Sequence, residues 1–179
     1  MIRQTPFHSR TSAVNKTGLW SHWAGYLAAD RYQMSDKFEY FAVRNSVGVF
    51  DTSPLFKYRI SGDGAERYLA GVLTRDIRRC RPGQAQYTVW CDDDGWVIED
   101  GVVLRLAEGS FLLSSARPNL AYLAALTSGL SVRVEDISDN MGVLAVQGPH
   151  SRDVLTGLIP EVATLEYFGV IATEVDAIP

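Results

Sequence analysis

Residues 83–116, G-Q-A-Q-Y-T-V-W-C-D-D-D-G-W-V-I-E-D-G-V-V-L-R-L-A-E-G-S-F-L-L-S-S-A, decide the fold. From Gln84 to Cys91 the chain alternates. Ala85, Tyr87, Val89 and Cys91 share one face, and Gln86, Thr88 and Trp90 share the other, which predicts a strand. Asp92-Asp93-Asp94-Gly95 is a hairpin loop in which Gly95 can supply a positive φ. The strand returns from Trp96 to about Leu106, Glu108-Gly109 turns the chain again, and Phe111 to Ser115 follows. Strands joined by such tight turns are antiparallel.

Upstream, Phe56, Tyr58 and Ile60 alternate as a strand, and Gly62-Asp63-Gly64 turns into a helix over about 65–74, with Asp63 and Glu66 as a capping box. Downstream, Pro118 opens a helix that Gly129 ends. Val132 and Val134 predict a strand, Gly142 to Val146 another, and Gly148-Pro149 opens a helix with Val154, Leu155 and Leu158 facing inward. Hairpins mixed with helices cannot all be parallel crossovers. The order predicts an α+β fold, an antiparallel or mixed sheet with helices on one face, and the ferredoxin-like split βαβ unit is the nearest template. Residues 1–35 read as an irregular, aromatic-rich arm, followed by a helix with Asp36 as N-cap, Glu39 completing a capping box, Phe38, Phe41, Ala42 and Val43 on its apolar face, and Gly48 at its C-terminus. The expected division is therefore an arm and helix over 1–50 packing on the core, then an α+β domain over 51–179.

A chain of 179 residues can bury a core without disulfides or structural metal. Its net charge of −4 gives no basic stripe, and Arg75 to Arg81 reads as a solvated helix end, so no nucleic-acid partner is expected. The longest apolar runs, such as Met141 to Val146, fall far short of a membrane span, and no apolar segment follows the N-terminus to make a secretory signal. Cys80 and Cys91 lack C-x-x-C spacing, and His8, His22 and His150 are scattered. No metal site is expected, and a reduced, cytoplasmic setting fits.

Chemistry concentrates in the acidic residues. Asp92, Asp93 and Asp94 sit on a hairpin tip, where a solvated turn accounts for them. Glu99-Asp100 lies instead among Val97, Ile98, Val102 and Val103. Adjacent strand residues face opposite ways, so one of the two carboxylates points inward, and either assignment is open. An inward carboxylate must be hydrogen-bonded or paired, and Arg105 or Arg117 could serve as a structural partner. Tyr87, on the neighbouring strand, is either a core residue or an aromatic platform beside the carboxylate for a flat, hydrogen-bonding heterocycle.

Six segments carry a family likeness. F-A-V-R-N-S-V-G-V-F-D-T-S (41–53) resembles the A-V-R-x-S-V-G-V-F-D-x-S segment of the glycine-cleavage T-protein, or aminomethyltransferase, family. L-T-R-D-I (73–77), G-Q-A-Q-Y-T (83–88), G-W-V-I-E-D-G-V-V (95–103), F-L-L-S-S-A (111–116) and L-A-V-Q-G-P-H-S-R-D-V-L (144–155) follow in family order. The resemblance implies a tetrahydrofolate-dependent one-carbon transferase, with 51–179 as its folate-binding domain. It places the family's catalytic aspartate on Asp100 and a folate-contacting tyrosine on Tyr87. Leu55 stands where the family has methionine near the cofactor, and Ser115 where it often has asparagine. Departures fall at Ser53-Pro54-Leu55, where the family has S-H-M, at Glu99 for Asp, and at Trp96 for Gly. These leave open a folate-dependent demethylase of a methylated small molecule, or a folate-binding module without turnover. The family's later R-x-G-Y-T-G-E segment and C-terminal barrel are not in this sequence, so the resemblance implies the N-terminal portion of the architecture. Expected partners are a small-molecule substrate, a lipoyl carrier protein, and self-association through the surface that the later segments cover.

Overall fold

The computed structural model describes residues 2–175. In chain order its helices and strands are α1 (His8–Val14), β1 (Trp20–Trp23), β2 (Tyr26–Ala29), α2 (Lys37–Asn45), β3 (Gly48–Asp51), β4 (Phe56–Ser61), α3 (Ala65–Val72), β5 (Gln84–Cys91), β6 (Val97–Ala107), β7 (Ser110–Ser115), α4 (Leu120–Ala125), β8 (Arg133–Asp136), β9 (Leu144–Gln147) and α5 (Ser151–Leu158). They fall into two compact units. The first comprises Met1–Pro54, Met141–Thr164 and the chain from Thr173, and the second Leu55–Asn140 with Leu165–Ala172. This corrects the expected division at 50. Residues 141–164 belong with the N-terminal unit because β9 pairs antiparallel with β3, Val146 opposite Val49.

The second unit is the α+β domain. Its sheet runs β5-β6-β7-β4-β8, antiparallel throughout. The run β8-β4-β7-β6 is the ferredoxin-like split βαβ order, with β5 added at the edge. Helices α3 and α4 cover one face. Tyr58, Ile60, Trp90, Val103, Phe111 and Leu113 of the sheet pack against Tyr68 and Leu69 of α3 and Leu123 of α4 in one core. The Tyr68 hydroxyl donates to the Leu123 carbonyl at 2.7 Å and ties the two helices together. Each large side chain buried here stabilises by about 1.5–3 kcal/mol before entropy is charged against it. The turn after β4 depends on glycine: Gly62 has φ +122°, and a Cβ there would lie 2.4 Å from the Ser131 carbonyl oxygen.

The first unit departs from expectation. Residues 1–35 are not an irregular arm, for they hold α1 and the β1–β2 hairpin. The hairpin turn is Ala24-Gly25, both at positive φ (48° and 91°). Alanine is an uncommon residue there, so the turn carries no strong signal in the sequence. Asp36 makes no side-chain cap. Glu39 instead accepts the backbone N–H groups of Tyr32 and Gln33 at 2.6 and 2.9 Å. Helix α2 therefore turns Glu39, Ala42 and Val43 inward and leaves Phe38 and Phe41 exposed. Gly48 begins β3 rather than capping α2, which ends at Asn45 with Ser46 as its C-cap. Val154 and Leu158 of α5 are likewise exposed rather than inward.

Candidate functional site

The acidic pair sits behind a β-bulge. Trp90 pairs with Glu99 and Cys91 with Val97, so Ile98 is the extra residue in β6. Bulges re-aim side chains, and this one fixes which carboxylate faces the helices. Gln86, Thr88 and Trp90 of β5 are buried on the helix-covered face, and so are Glu99, Val103 and Arg105 of β6. Asp100 and Tyr87 lie on the opposite face, which α3 and α4 leave uncovered and which is called helix-free in that sense. The inward carboxylate is thus Glu99, not Asp100.

Glu99 is held as a buried carboxylate must be. Its Oε2 accepts the Arg117 backbone N–H at 2.9 Å and its Oε1 accepts the Asp100 N–H at 3.1 Å, while the Arg117 guanidinium stands 3.9 Å away. Arg105, the other partner considered, pairs with Glu66 and Glu108 instead.

On the helix-free face, Val89 is opposite Asp100 and Tyr87 is opposite Val102. Tyr87 and Asp100 are therefore diagonal cross-strand neighbours, within reach of a long side chain. The Tyr87 hydroxyl donates to Asp100 Oδ2 at 2.6 Å. Tyr87 is 48% exposed, so its ring is open to a ligand. The hydrogen bond to Asp100, then partial desolvation, then the Asp100 charge raise the Tyr87 pKa above the ordinary phenol value. A raised folded-state pKa means that the contribution of this bond is complete below the ordinary phenol pKa and is lost as pH climbs through the raised one. Y87F is accordingly expected to be less stable than wild type at neutral pH, with the difference closing in alkali. Denaturant midpoints of both proteins across that range check it, and a difference that stays constant with pH contradicts it.

The remaining predicted residues are placed differently. Leu55 lies half-buried one residue before β4, at the end of the sheet where Phe56 pairs with Ser115. Ser115 is buried, and its hydroxyl donates to the Arg117 carbonyl at 2.7 Å. By strand alternation it faces the helices with Phe111 and Leu113, so it is not brought to the Tyr87–Asp100 pair. Ser114 is the residue on that face. Its hydroxyl donates to the Val102 carbonyl and accepts the Val102 N–H, at 3.2 and 3.3 Å. Sequence reasoning passed over Ser114 and Gly101. A Cβ on Gly101 would lie 1.8 Å from the Ser114 carbonyl oxygen, so the close approach of β6 and β7 beside Asp100 requires glycine. At the hairpin tip, Asp92 folds back on its own loop, accepting the Asp94 and Trp96 N–H groups at 3.1 and 2.8 Å.

A cavity of about 690 Å³ lies in the first unit, walled by Trp20, Trp23, Tyr32 and Phe50 among others. Two of its wall carboxylates are hydrogen-bonded within the unit, Asp51 by Thr5 and Ser53 and Glu39 by Tyr32 and Gln33. None of the site residues expected from the sequence lines it. Among the described residues no helix is long and apolar enough to cross a membrane.

An antiparallel sheet covered on one face by α3 and α4 defines an α+β domain of ferredoxin-like order, and comparison with known proteins gives it a family. The model of the GCVT N-terminal domain matches residues 7–179. The chain belongs to that family. An aminomethyltransferase of a Parafrankia species is 36% identical over 162 residues, covering 88% of this chain and 44% of the relative. One from Saccharopolyspora erythraea is 34% identical over 181 residues, covering 97% and 48%. The crystal structure of glycine cleavage system aminomethyltransferase T from Bartonella henselae superposes with a TM-score of 0.85 at 22% identity, over 94% of this chain and 47% of that one, and shows the same fold. The chain spans about half the length of the relatives it matches.

Proposed function

We propose that this chain carries the pterin-facing half of a tetrahydrofolate-dependent aminomethyl or methyl transferase, with Asp100 as its catalytic carboxylate and Tyr87 as a cofactor contact. The observation that carries the reading is the 2.6 Å hydrogen bond from Tyr87 to Asp100 on the helix-free face. The relatives named aminomethyltransferases support it.

The donor set fits a reduced pterin. Tyr87 offers an exposed aromatic ring for a flat heterocycle, and Asp100 offers an acceptor for its N–H groups. When bound, tetrahydrofolate supplies the nitrogen atoms that carry the one-carbon unit. Asp100 places a fixed negative charge beside the reacting centre, where positive charge that develops in the transition state is stabilised without reorganisation. The Tyr87 hydroxyl occupies Oδ2 and fixes the carboxylate rotamer, which leaves Oδ1 to accept from the ligand. Leu55 supplies apolar wall in this proposal. Ser115 acts only indirectly, through its bond to the Arg117 carbonyl. A lipoyl carrier protein or a free methylated amine as one-carbon donor belongs to the same proposal.

Calorimetric titration of tetrahydrofolate into the chain tests the reading. Saturable heat that D100N and Y87F weaken is expected. Absence of saturable binding, or binding that neither substitution alters, contradicts it.

A further inference from the structure

The geometry points to Glu99 as the residue that positions Asp100, through its contact with the Asp100 backbone rather than with any ligand. The β6–β7 ladder pairs Val103 with Leu113 and runs from there toward Ala107 and Ser110. Residues 99–102 lie beyond it. They remain paired with β5, and the Asp100 and Val102 N–H groups are the ones met by side chains instead of β7. Ser114 Oγ accepts the Val102 N–H, and Glu99 Oε1 accepts the Asp100 N–H. Glu99 thus does the work of the strand that is no longer there.

Its second oxygen makes the tie rigid. Oε2 accepts the Arg117 N–H at 2.9 Å, and the turn that holds Arg117 is anchored to the core. Ser115 Oγ and Asn119 Nδ2 both donate to the Arg117 carbonyl, at 2.7 and 3.0 Å. The Asn119 N–H donates to the Tyr58 hydroxyl at 2.7 Å, and Trp90 Nε1 donates to Asn119 Oδ1 at 3.4 Å. Tyr58 and Trp90 are both fully buried. One carboxylate therefore joins the Asp100 backbone to a fixed point in the core, from the face opposite to the one on which Asp100 works. Gly101 completes the device by letting β7 approach immediately after Asp100.

The two N–H donors rest on different oxygens of the one carboxylate, Asp100 on Oε1 and Arg117 on Oε2. Glutamine keeps the shape but turns an NH2 donor toward one of the N–H groups. In E99Q, Asp100 loses its fixed station, and its bond to Tyr87 weakens. The catalytic meaning of this rests on the reading of Asp100 as the working carboxylate, but the positional claim does not. It can be measured with no folate present, so each can fail while the other stands.

The experiment is an NMR titration of the Tyr87 ring in isotope-labelled chain, assigned with Y87F. The Tyr87 midpoint, raised in wild type by its bond to Asp100, is expected to fall toward the ordinary phenol range both in E99Q and in the D100N control. A folded E99Q protein with an unchanged Tyr87 midpoint overturns the inference, because a residue that only stabilised the fold would leave that midpoint alone. Hydrogen exchange on the wild type decides the matter if E99Q does not fold. Protection of the Asp100 and Arg117 amides well above that of the exposed Asp93 amide supports the tie, and exchange as fast as that of Asp93 overturns it.

Discussion

D100N, introduced into a protein that carries this chain with the later family segments, is expected to lower one-carbon transfer by about 10²–10⁴-fold, the range for removing a positioned charged or acid–base group. The substitution is nearly isosteric. It removes the negative charge and exchanges one acceptor oxygen for an NH2 donor. The backbone ties of residue 100 are unaffected, because Glu99 holds the main-chain N–H. Asp100 lies on the face of the sheet away from the helices, so the core keeps its packing. Stability should change little while turnover collapses, and kcat should fall more than KM rises, as for an interaction made chiefly in the transition state. Y87F should cost less, since it removes the group that orients the carboxylate and leaves the carboxylate itself. Turnover by D100N within a few-fold of wild type contradicts the assignment.

W90A is expected to destabilise the second unit by about 3–5 kcal/mol, the cost of deleting a large aromatic from a packed core. Trp90 is fully buried at the centre of the cluster formed by the sheet, α3 and α4. Its indole N–H also donates to Asn119, which anchors the turn leading to Arg117. The deletion therefore opens a cavity and unpins a polar network together. Domains of this size have a net stability of about 5–15 kcal/mol, so such a loss is a large fraction of the whole. Urea unfolding followed by far-ultraviolet circular dichroism checks it, and a loss below about 1 kcal/mol contradicts the packing described here.

The meander and its neighbours were legible because their signals are local. Alternation from Gln84 to Cys91, the Gly95 and Gly109 turns, and the Gly62-Asp63-Gly64 turn into α3 each depend on residues close in sequence. What escaped depends on distant partners. The bulge at Ile98 exists because Trp90 opposes Glu99 while Cys91 opposes Val97, and nothing in V-I-E-D announces it. Without the bulge the choice between Glu99 and Asp100 as the inward carboxylate could not be made. Ser115 was placed near the cofactor by position in a motif, but strand alternation gives it to the core side. The pairing of β3 with β9 joins segments nearly a hundred residues apart, so a boundary drawn along the chain missed the true grouping. The Ala24-Gly25 turn was hidden by an alanine in a conformation that glycine or asparagine usually takes.

The most direct test of the Tyr87–Asp100 pair as the folate site is residue-resolved NMR of the chain during titration with tetrahydrofolate. The largest amide shifts are expected at Tyr87, Val89, Asp100 and Val102, the neighbours on the helix-free face of β5 and β6, and they should vanish in D100N. Shifts confined to the first unit, or a wild-type pattern retained in D100N, contradict it.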